Sequence, residues 1–164
     1  MDREDLLKHK LIFESLGRDY FKIRHKPDEM NVLGNVLYNN LTFHQEQFAK
    51  DLPKNPKVFH KYLAHLIYQK GVNYSDVWKA AGIDSSIFSK YISGKRSPAK
   101  DTLLRIIFAL ELSLDEAVEL LKLNGMAFDE NSIRDNAFWY CLKTRFSLDD
   151  TIEFLKSYQI VVFA

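Results

Sequence analysis

Histidine and cysteine are the residues of this chain that most readily bind metals or act as nucleophiles. The five histidines stand at positions 9, 25, 44, 60 and 65. His60 and His65 are five residues apart, which places them on different faces of a helix. Because none of the histidines has the spacing of a metal-binding motif, we predict no metal site.

Cys141 is the only cysteine, so no disulfide can form within the chain, and a reducing cytoplasm is the expected location. It lies in an apolar helical stretch without a visible activating partner, which predicts a buried, unreactive thiol. A glycine-rich phosphate loop and a nucleophile elbow are also lacking. We therefore predict no catalytic residues, no cofactor and no enzymatic activity.

Charge is distributed unevenly along the chain, although the net charge is only +1. Between positions 70 and 101, six Lys/Arg stand against three Asp, a net charge of +3. Between positions 111 and 153, four Lys/Arg stand against ten Asp/Glu, a net charge of −6. This division fits a protein with one DNA-facing side, and an ordinary solvated surface can show it as well.

Apolar residues recur every three or four positions along almost the whole chain, a spacing typical of α-helix. We therefore predict an all-α fold. The clearest linker is 53–56, where two prolines disfavour helix on both sides. Helices are predicted after it at about 57–70, 74–81, 85–93, 99–110, 114–123, 132–145 and 148–159.

Several of these helices begin with a small polar residue followed three positions later by an acid. In this arrangement, the capping box, the acid accepts a hydrogen bond from the backbone N–H of the cap. The pairs are Asn73 with Asp76, Ser113 with Glu116, Ser132 with Asp135, and Ser147 with Asp150.

The segment 73–92 reads as two short helices joined through Gly82. The chain must reverse there with a positive φ, which glycine adopts without steric cost. Apolar residues flank the turn, and one on the second helix points back inward: Val77, Ala81, Ile83 and Phe88. Such contacts hold the helices at an angle that lets the second one enter a major groove.

This segment resembles the lambda-repressor-like helix-turn-helix family, also called the xenobiotic-response-element family. The resemblance continues through the glycine-basic-basic-x-proline loop at 94–98 and through 102–116, and it covers about 57–124. It implies a five-helix domain that binds double-stranded DNA. It also implies a sequence-specific regulator of transcription, a repressor.

The resemblance also implies roles for particular residues. Ser85–Ser93 would be the recognition helix, with Asp84 as its cap. The outward residues that would reach base edges are Ser85, Ser86, Ser89 and Lys90. The residues that would contact phosphates are Tyr74, Lys79, Lys95, Arg96 and Lys100. The plainer interpretation is a set of solvated surface side chains.

Two positions depart from the family pattern. Trp78 stands four residues before Gly82, where the family usually has a small residue because the two helices touch. Tyr74 stands where the family often has glutamine. Either change would widen the helix pair or tilt the recognition helix, although Trp78 is itself predicted to lie in the core. They favour the alternative function, an adaptor or antitoxin that grips a partner protein.

The sequences on either side of this domain contain fewer motifs from which structure or function can be predicted. We divide the chain into an N-terminal helical region of unknown function (1–55), the DNA-binding domain (56–124) and a two-helix extension (125–164). In the N-terminal region, a first helix is expected to end near Gly17, and an extended stretch is expected at 20–23, with further helical segments between 28 and 52. The residues expected to share one face of that helix are Leu6, Leu7, Leu11, Ile12 and Leu16.

Three consecutive aromatic residues, Phe138, Trp139 and Tyr140, lie in the C-terminal extension. On a helix they point in three directions, so one face cannot bury them all. The segment is therefore either sandwiched within the fold or placed at a subunit interface. With the apolar residues 160–164, it leads to the hypothesis of a homodimer with recognition helices about 34 Å apart. The charged first residues and the lack of a ~20-residue apolar stretch predict a cytoplasmic protein without a membrane partner.

Overall fold

The structure is a computed structural model that describes residues 1–25 and 58–161, with side chains for 1–16 and 58–161. Every regular element in these ranges is an α-helix, which confirms the predicted fold class. The helices are α1 (Arg3–His25), α2 (Phe59–Lys70), α3 (Tyr74–Ala81), α4 (Ser85–Ser93), α5 (Lys100–Ala109), α6 (Leu114–Leu123), α7 (Ile133–Lys143) and α8 (Leu148–Lys156). None of these helices is long and apolar enough to cross a membrane.

Helices α2 to α6 begin and end within two residues of their predicted bounds. Local capping explains the agreement at α3, α4 and α6. At α6, Ser113 Oγ accepts from the Glu116 amide at 3.2 Å and the Glu116 carboxylate accepts from the Ser113 amide at 2.9 Å. At α3, the Asp76 carboxylate accepts from the Asn73 amide at 3.1 Å. These bonds satisfy donors that the first helical turn leaves without partners.

The five helices α2 to α6 enclose one core. α3 packs on α5, α2 packs on α4 and α6, and α5 packs on α6. The fully buried side chains at its centre include Leu63, Leu103, Leu104, Ile106, Ile107 and Leu120. Burying one such side chain contributes about 1.5–3 kcal/mol relative to leaving it exposed. This core fixes the relative positions of the helices that carry the candidate site.

Helix α7 is the most deeply buried helix of the C-terminal extension. Its residues from Asp135 to Leu142 are all buried, and it packs against α1, α6 and α8. Phe138, Trp139 and Tyr140 are exposed by 0%, 3% and 4%. Of the two placements considered for these aromatics, the one within the fold is correct, because neighbouring helices cover α7 on several sides. They are therefore unavailable as a subunit interface.

Helix α1 joins the C-terminal extension through an aromatic cluster. The ring of Phe13 lies 5.6 Å from that of Tyr140, 5.7 Å from that of Phe154 and 5.3 Å from that of Tyr158. These separations are typical of favourable ring pairs. The N-terminal helix and the two last helices are thus packed together.

The predicted apolar face of α1 is wrong in part. Leu6 and Leu16 pack against the core, whereas Leu7, Leu11 and Ile12 are exposed by 52%, 68% and 48%. The buried face is centred on Phe13, and the 100° step of a helix turns Leu7 and Leu11 away from it. The predicted end near Gly17 and the extended stretch predicted at 20–23 are also wrong, since α1 continues as a helix to residue 25. A single glycine costs about 1 kcal/mol in a helix and does not by itself end it.

Several sequence-based predictions lie outside the described residues. They include the helices expected between 28 and 52, the linker at 53–56 and the domain boundary after residue 55. The last three residues, 162–164, also lie outside.

Candidate nucleic-acid interface

The turn between α3 and α4 has the geometry that its sequence predicts. Gly82 adopts φ 66° and ψ 38°, the left-handed conformation. The four apolar residues around it, Val77, Ala81, Ile83 and Phe88, are exposed by 1%, 1%, 7% and 1%. Their burial holds α3 and α4 at a fixed angle, so the outer face of α4 has a defined orientation.

Arg105 of α5 contacts this turn from outside the helix pair. Its Nη1 donates to the Gly82 carbonyl at 3.3 Å, and its Nη2 donates to Thr102 Oγ1 at 3.4 Å. The guanidinium thereby links the turn between α3 and α4 to α5. No local sequence signal indicates this contact, because the two residues are 23 positions apart.

The N-terminus of α4 is capped by Asp84, as predicted. Its carboxylate accepts from the hydroxyl of Ser86 at 2.5 Å and from the Ser86 amide at 2.9 Å. These hydrogen bonds lower the pKa of Asp84. The first turn of the helix is therefore ordered, and the Ser86 hydroxyl is held in one orientation.

The proposed base-reading face of α4 is open within the described residues. Ser85, Ser86, Ser89 and Lys90 are all exposed. α4 packs mainly against α2 and α3, on the opposite face that carries Phe88 and Tyr91. Neither α1 nor the C-terminal helices cover the outer face in the part of the chain that the structure describes. A duplex groove can therefore approach it.

The basic loop, residues 94–98, follows α4 directly. The amides of Lys95 and Arg96 both donate to the Lys90 carbonyl, at 3.0 Å and 3.3 Å. The side chains of Lys95 and Arg96 are exposed, and neither forms an ion pair with another described residue. The loop thus presents two free cations beside the end of α4, an arrangement suited to phosphate.

His60 of α2 lies against the start of the basic loop. A Cβ added to Gly94 would stand 2.7 Å from the imidazole Nδ1, so the ring occupies the space that a side chain at position 94 would need. Gly94 itself has φ 78°. No local signal in the sequence indicates this packing role, because His60 and Gly94 are far apart in the chain.

The remaining predicted phosphate contacts differ in their surroundings. Tyr74 is 47% exposed, with its ring 6.1 Å from that of Phe88 in an edge-on contact. Lys79 is exposed, and its ammonium lies 5.5 Å from the centre of the Trp78 ring. Trp78 is half-buried at the edge of the core rather than enclosed in it.

Lys100 is held by the protein itself. Its ammonium donates to Asp135 Oδ2 at 2.5 Å and to the Ala127 carbonyl at 2.7 Å. Asp135 is buried, with 7% of its side chain exposed. The carboxylate also accepts from the Asp129 amide at 2.6 Å. It therefore does not accept a hydrogen bond from the backbone amide of Ser132. The reciprocal capping box predicted at Ser132 is therefore wrong, because the acid has stronger donors across the fold.

Cys141 is a free, buried thiol, and its burial raises its pKa. No three His, Cys, Asp or Glu side chains among the described residues lie close enough together to hold a metal ion.

Comparison with known proteins identifies a family that matches part of the chain. Residues 62–122 match the model of the Cro/C1-type helix-turn-helix DNA-binding domain. This confirms the resemblance of the segment to lambda-repressor-like domains. The matched range contains α3, α4, α5 and the basic loop, but it excludes His60 and every residue after 122. Comparisons with curated proteins and with solved structures give no match.

Proposed function

We propose that this protein binds specific operator sequences and represses transcription. The premise is the match of residues 62–122 to the Cro/C1-type helix-turn-helix DNA-binding domain. The observation that carries the proposal is the open outer face of α4 beside the two free cations of the basic loop. In this function α4 lies in the major groove and the loop contacts the adjacent backbone. Repression follows where the occupied site overlaps a promoter.

The base contacts come from Ser85, Ser86, Ser89 and Lys90. Because the Ser86 hydroxyl donates its hydrogen to Asp84, its oxygen is left to accept hydrogen bonds. The donors in the major groove are the amino groups of adenine and cytosine. Ser86 therefore reads an A or a C, while the ammonium of Lys90 suits guanine.

The phosphate contacts come from Lys95 and Arg96, supported by Tyr74 and Lys79. These side chains are exposed and lie on α3 or in the basic loop. We leave Lys100 out of the set, since its ammonium already binds Asp135 and Ala127. Contacts of this kind set the position of the protein on the duplex without reading sequence.

The proposal extends to a homodimer in the cytoplasm. A single short recognition helix reads few bases. Two such helices about 34 Å apart on a palindrome would double the number of bases that are read. Sedimentation at high protein concentration tests the dimer, and a strict monomer would rule it out. The division of the chain into regions 1–55, 56–124 and 125–164 belongs to the same proposal.

Selection of bound duplexes from a random pool tests the function. We expect a preferred sequence with two half-sites one helical turn apart. Ser86→Ala should relax the preference at one A or C position, by about 1–3 kcal/mol of discrimination. Ser93→Ala is the matched control, since the Ser93 hydroxyl donates to the Lys90 carbonyl at 3.3 Å and lies at the far end of α4.

The second candidate function is a protein-binding adaptor or antitoxin. Exposed apolar side chains around the start of α3 favour it: Tyr68 is 85% exposed, Val72 38% and Tyr74 47%. If no duplex binds even at low salt, the regulator proposal fails and this one replaces it. A partner would then protect Tyr68 and Tyr74 from chemical modification.

A further inference from the structure

The last residue of the basic loop and the residues that follow it are held by a segment outside the matched domain. We call residues 124–135 the brace. Asn124 Nδ2 donates to the Pro98 carbonyl at 3.0 Å. The Lys100 ammonium donates to Asp135 at 2.5 Å, and Arg134 pairs with Asp101 at 2.7 Å. Three of the four residues from 98 to 101 are therefore tied to the brace.

Asp135 is the buried centre of these contacts. Its side chain is only 7% exposed, and it accepts from both Lys100 and the Asp129 amide. A buried carboxylate is unfavourable unless such donors surround it. The Arg134–Asp101 pair is more exposed, with 39% and 57% of the side chains in solvent, and contributes less. Asp135 therefore dominates the attachment.

The opposite end of the basic loop is anchored independently. The amides of Lys95 and Arg96 donate to the last turn of α4, and His60 packs on Gly94. Only a few residues separate this anchor from Pro98, which the brace holds. The backbone between them therefore has little conformational freedom. The backbone positions of both free cations are thus set from two sides.

We propose that the brace is part of the DNA-binding apparatus, with Asp135 as a positioning residue that holds the basic loop in place for phosphate contact. The inference rests on the proposed function, and it goes beyond the matched domain, which ends at residue 122. The C-terminal extension thereby sets DNA affinity without touching DNA. Sequence preference remains with α4.

The free protein provides the first test. Asp135→Asn keeps the shape of the side chain and removes the charge that holds Lys100. We expect amide hydrogen exchange at Lys95 and Arg96 to become at least about fivefold faster, because local opening is easier when one anchor is lost. Phe154→Leu is the control, since it weakens the core of the same extension at a buried residue away from these contacts. Equal exchange in wild type and Asp135→Asn would overturn the inference, whatever the protein does with DNA.

DNA binding provides the second test, with the duplex selected for the wild type. Asp135→Asn should weaken binding to all sequences by about fivefold to twentyfold, a common size for coupling between two sites. Their order of preference should stay the same. Asp135→Glu should restore part of the affinity, and Phe154→Leu should leave it unchanged well below its melting temperature. If Asp135→Asn does not fold, Asn124→Ala takes its place with a smaller effect of the same sign.

A double-mutant comparison decides whether Asp135 acts through the loop. In a protein with Lys95→Ala and Arg96→Ala, Asp135→Asn should have no further effect on affinity. The same loss in both backgrounds would overturn the inference and leave the proposed function intact. A wild-type protein that binds no duplex would instead overturn the proposed function and with it the role of the brace in DNA binding.

Discussion

Gly94 illustrates how a single residue is restricted by both its backbone and its neighbour. Its φ is 78°, and a Cβ there would lie 2.7 Å from the His60 ring. Gly71 has nearly the same backbone, with φ 69°, but no atom within 4 Å of an added Cβ. Comparing substitutions at Gly71 and Gly94 therefore separates the effect of a positive φ from the effect of packing.

We expect Gly71→Ala to lower the free energy of unfolding by about 1–2 kcal/mol through its φ alone. Gly94→Ala should cost about 1–3 kcal/mol more, because the methyl group overpacks against His60. Denaturant unfolding measures both. In a His60→Ala background the additional loss should largely disappear. Equal losses for the two glycines would contradict the packing role of His60.

The capping carboxylate of Asp84 should make the stability of α4 depend on pH. Hydrogen bonds from the Ser86 hydroxyl and amide lower its pKa in the folded protein. A lowered folded pKa means that the ionised cap stabilises the helix above the unfolded pKa of about 3.9. This contribution is lost as the pH falls through the folded pKa.

Replacing Asp84 should therefore matter at neutral pH and not in acid. We expect Asp84→Ala to lower the melting temperature at pH 7, and the difference from wild type to shrink below about pH 4. Asp84→Asn keeps an uncharged capping side chain, so at pH 7 it should lie between Asp84→Ala and wild type, and its difference from Asp84→Ala should not depend on pH. Thermal unfolding followed by circular dichroism at several pH values provides the measurement. A pH-independent difference for Asp84→Ala would exclude the charged cap.

At the scale of elements, α7 is the helix on which the C-terminal extension depends. Phe138 is fully buried, and its ring lies 5.8 Å from that of Phe108 on α5. The helix therefore connects the DNA-binding domain to α1 and α8, which pack on its other sides.

Truncating Phe138 should destabilise the whole fold. We expect Phe138→Ala to reduce the free energy of unfolding by about 3–5 kcal/mol, since it leaves a cavity that the neighbouring helices cannot fill. Tyr68→Ala removes an aromatic ring that is 85% exposed and should change stability by less than about 0.5 kcal/mol. Similar values for the two variants in urea denaturation would show that α7 is not central to the core.

At the scale of the whole molecule, a net charge of +1 combines a basic segment, 70–101, with an acidic one, 111–153. If about five phosphates are neutralised, log K should fall with log salt with a slope of about −4 to −5. Lys95→Ala with Arg96→Ala should flatten that slope by about two and weaken all sequences alike. Fluorescence anisotropy over a salt series measures it. Lys122→Ala removes one exposed charge on α6, outside the proposed site, and as a control it should leave the slope unchanged.

The sequence by itself determined the helix-turn-helix and most of its boundaries. Gly82, the caps at Asp84 and Ser113, and the apolar positions around Phe88 act over three to six residues, so their effects can be read from local spacing. The resemblance to helix-turn-helix domains indicated which residues of α4 face outward. The structure places these features where the sequence puts them.

Only the tertiary structure decided which distant groups meet. Asp135 has the position of a capping acid, yet it binds Lys100, 35 residues away. His60 lies on Gly94, and α1 buries Phe13 rather than Leu7 and Leu11. Local spacing cannot predict such contacts, because a partner across the fold competes with the local one and is chosen by how the helices pack.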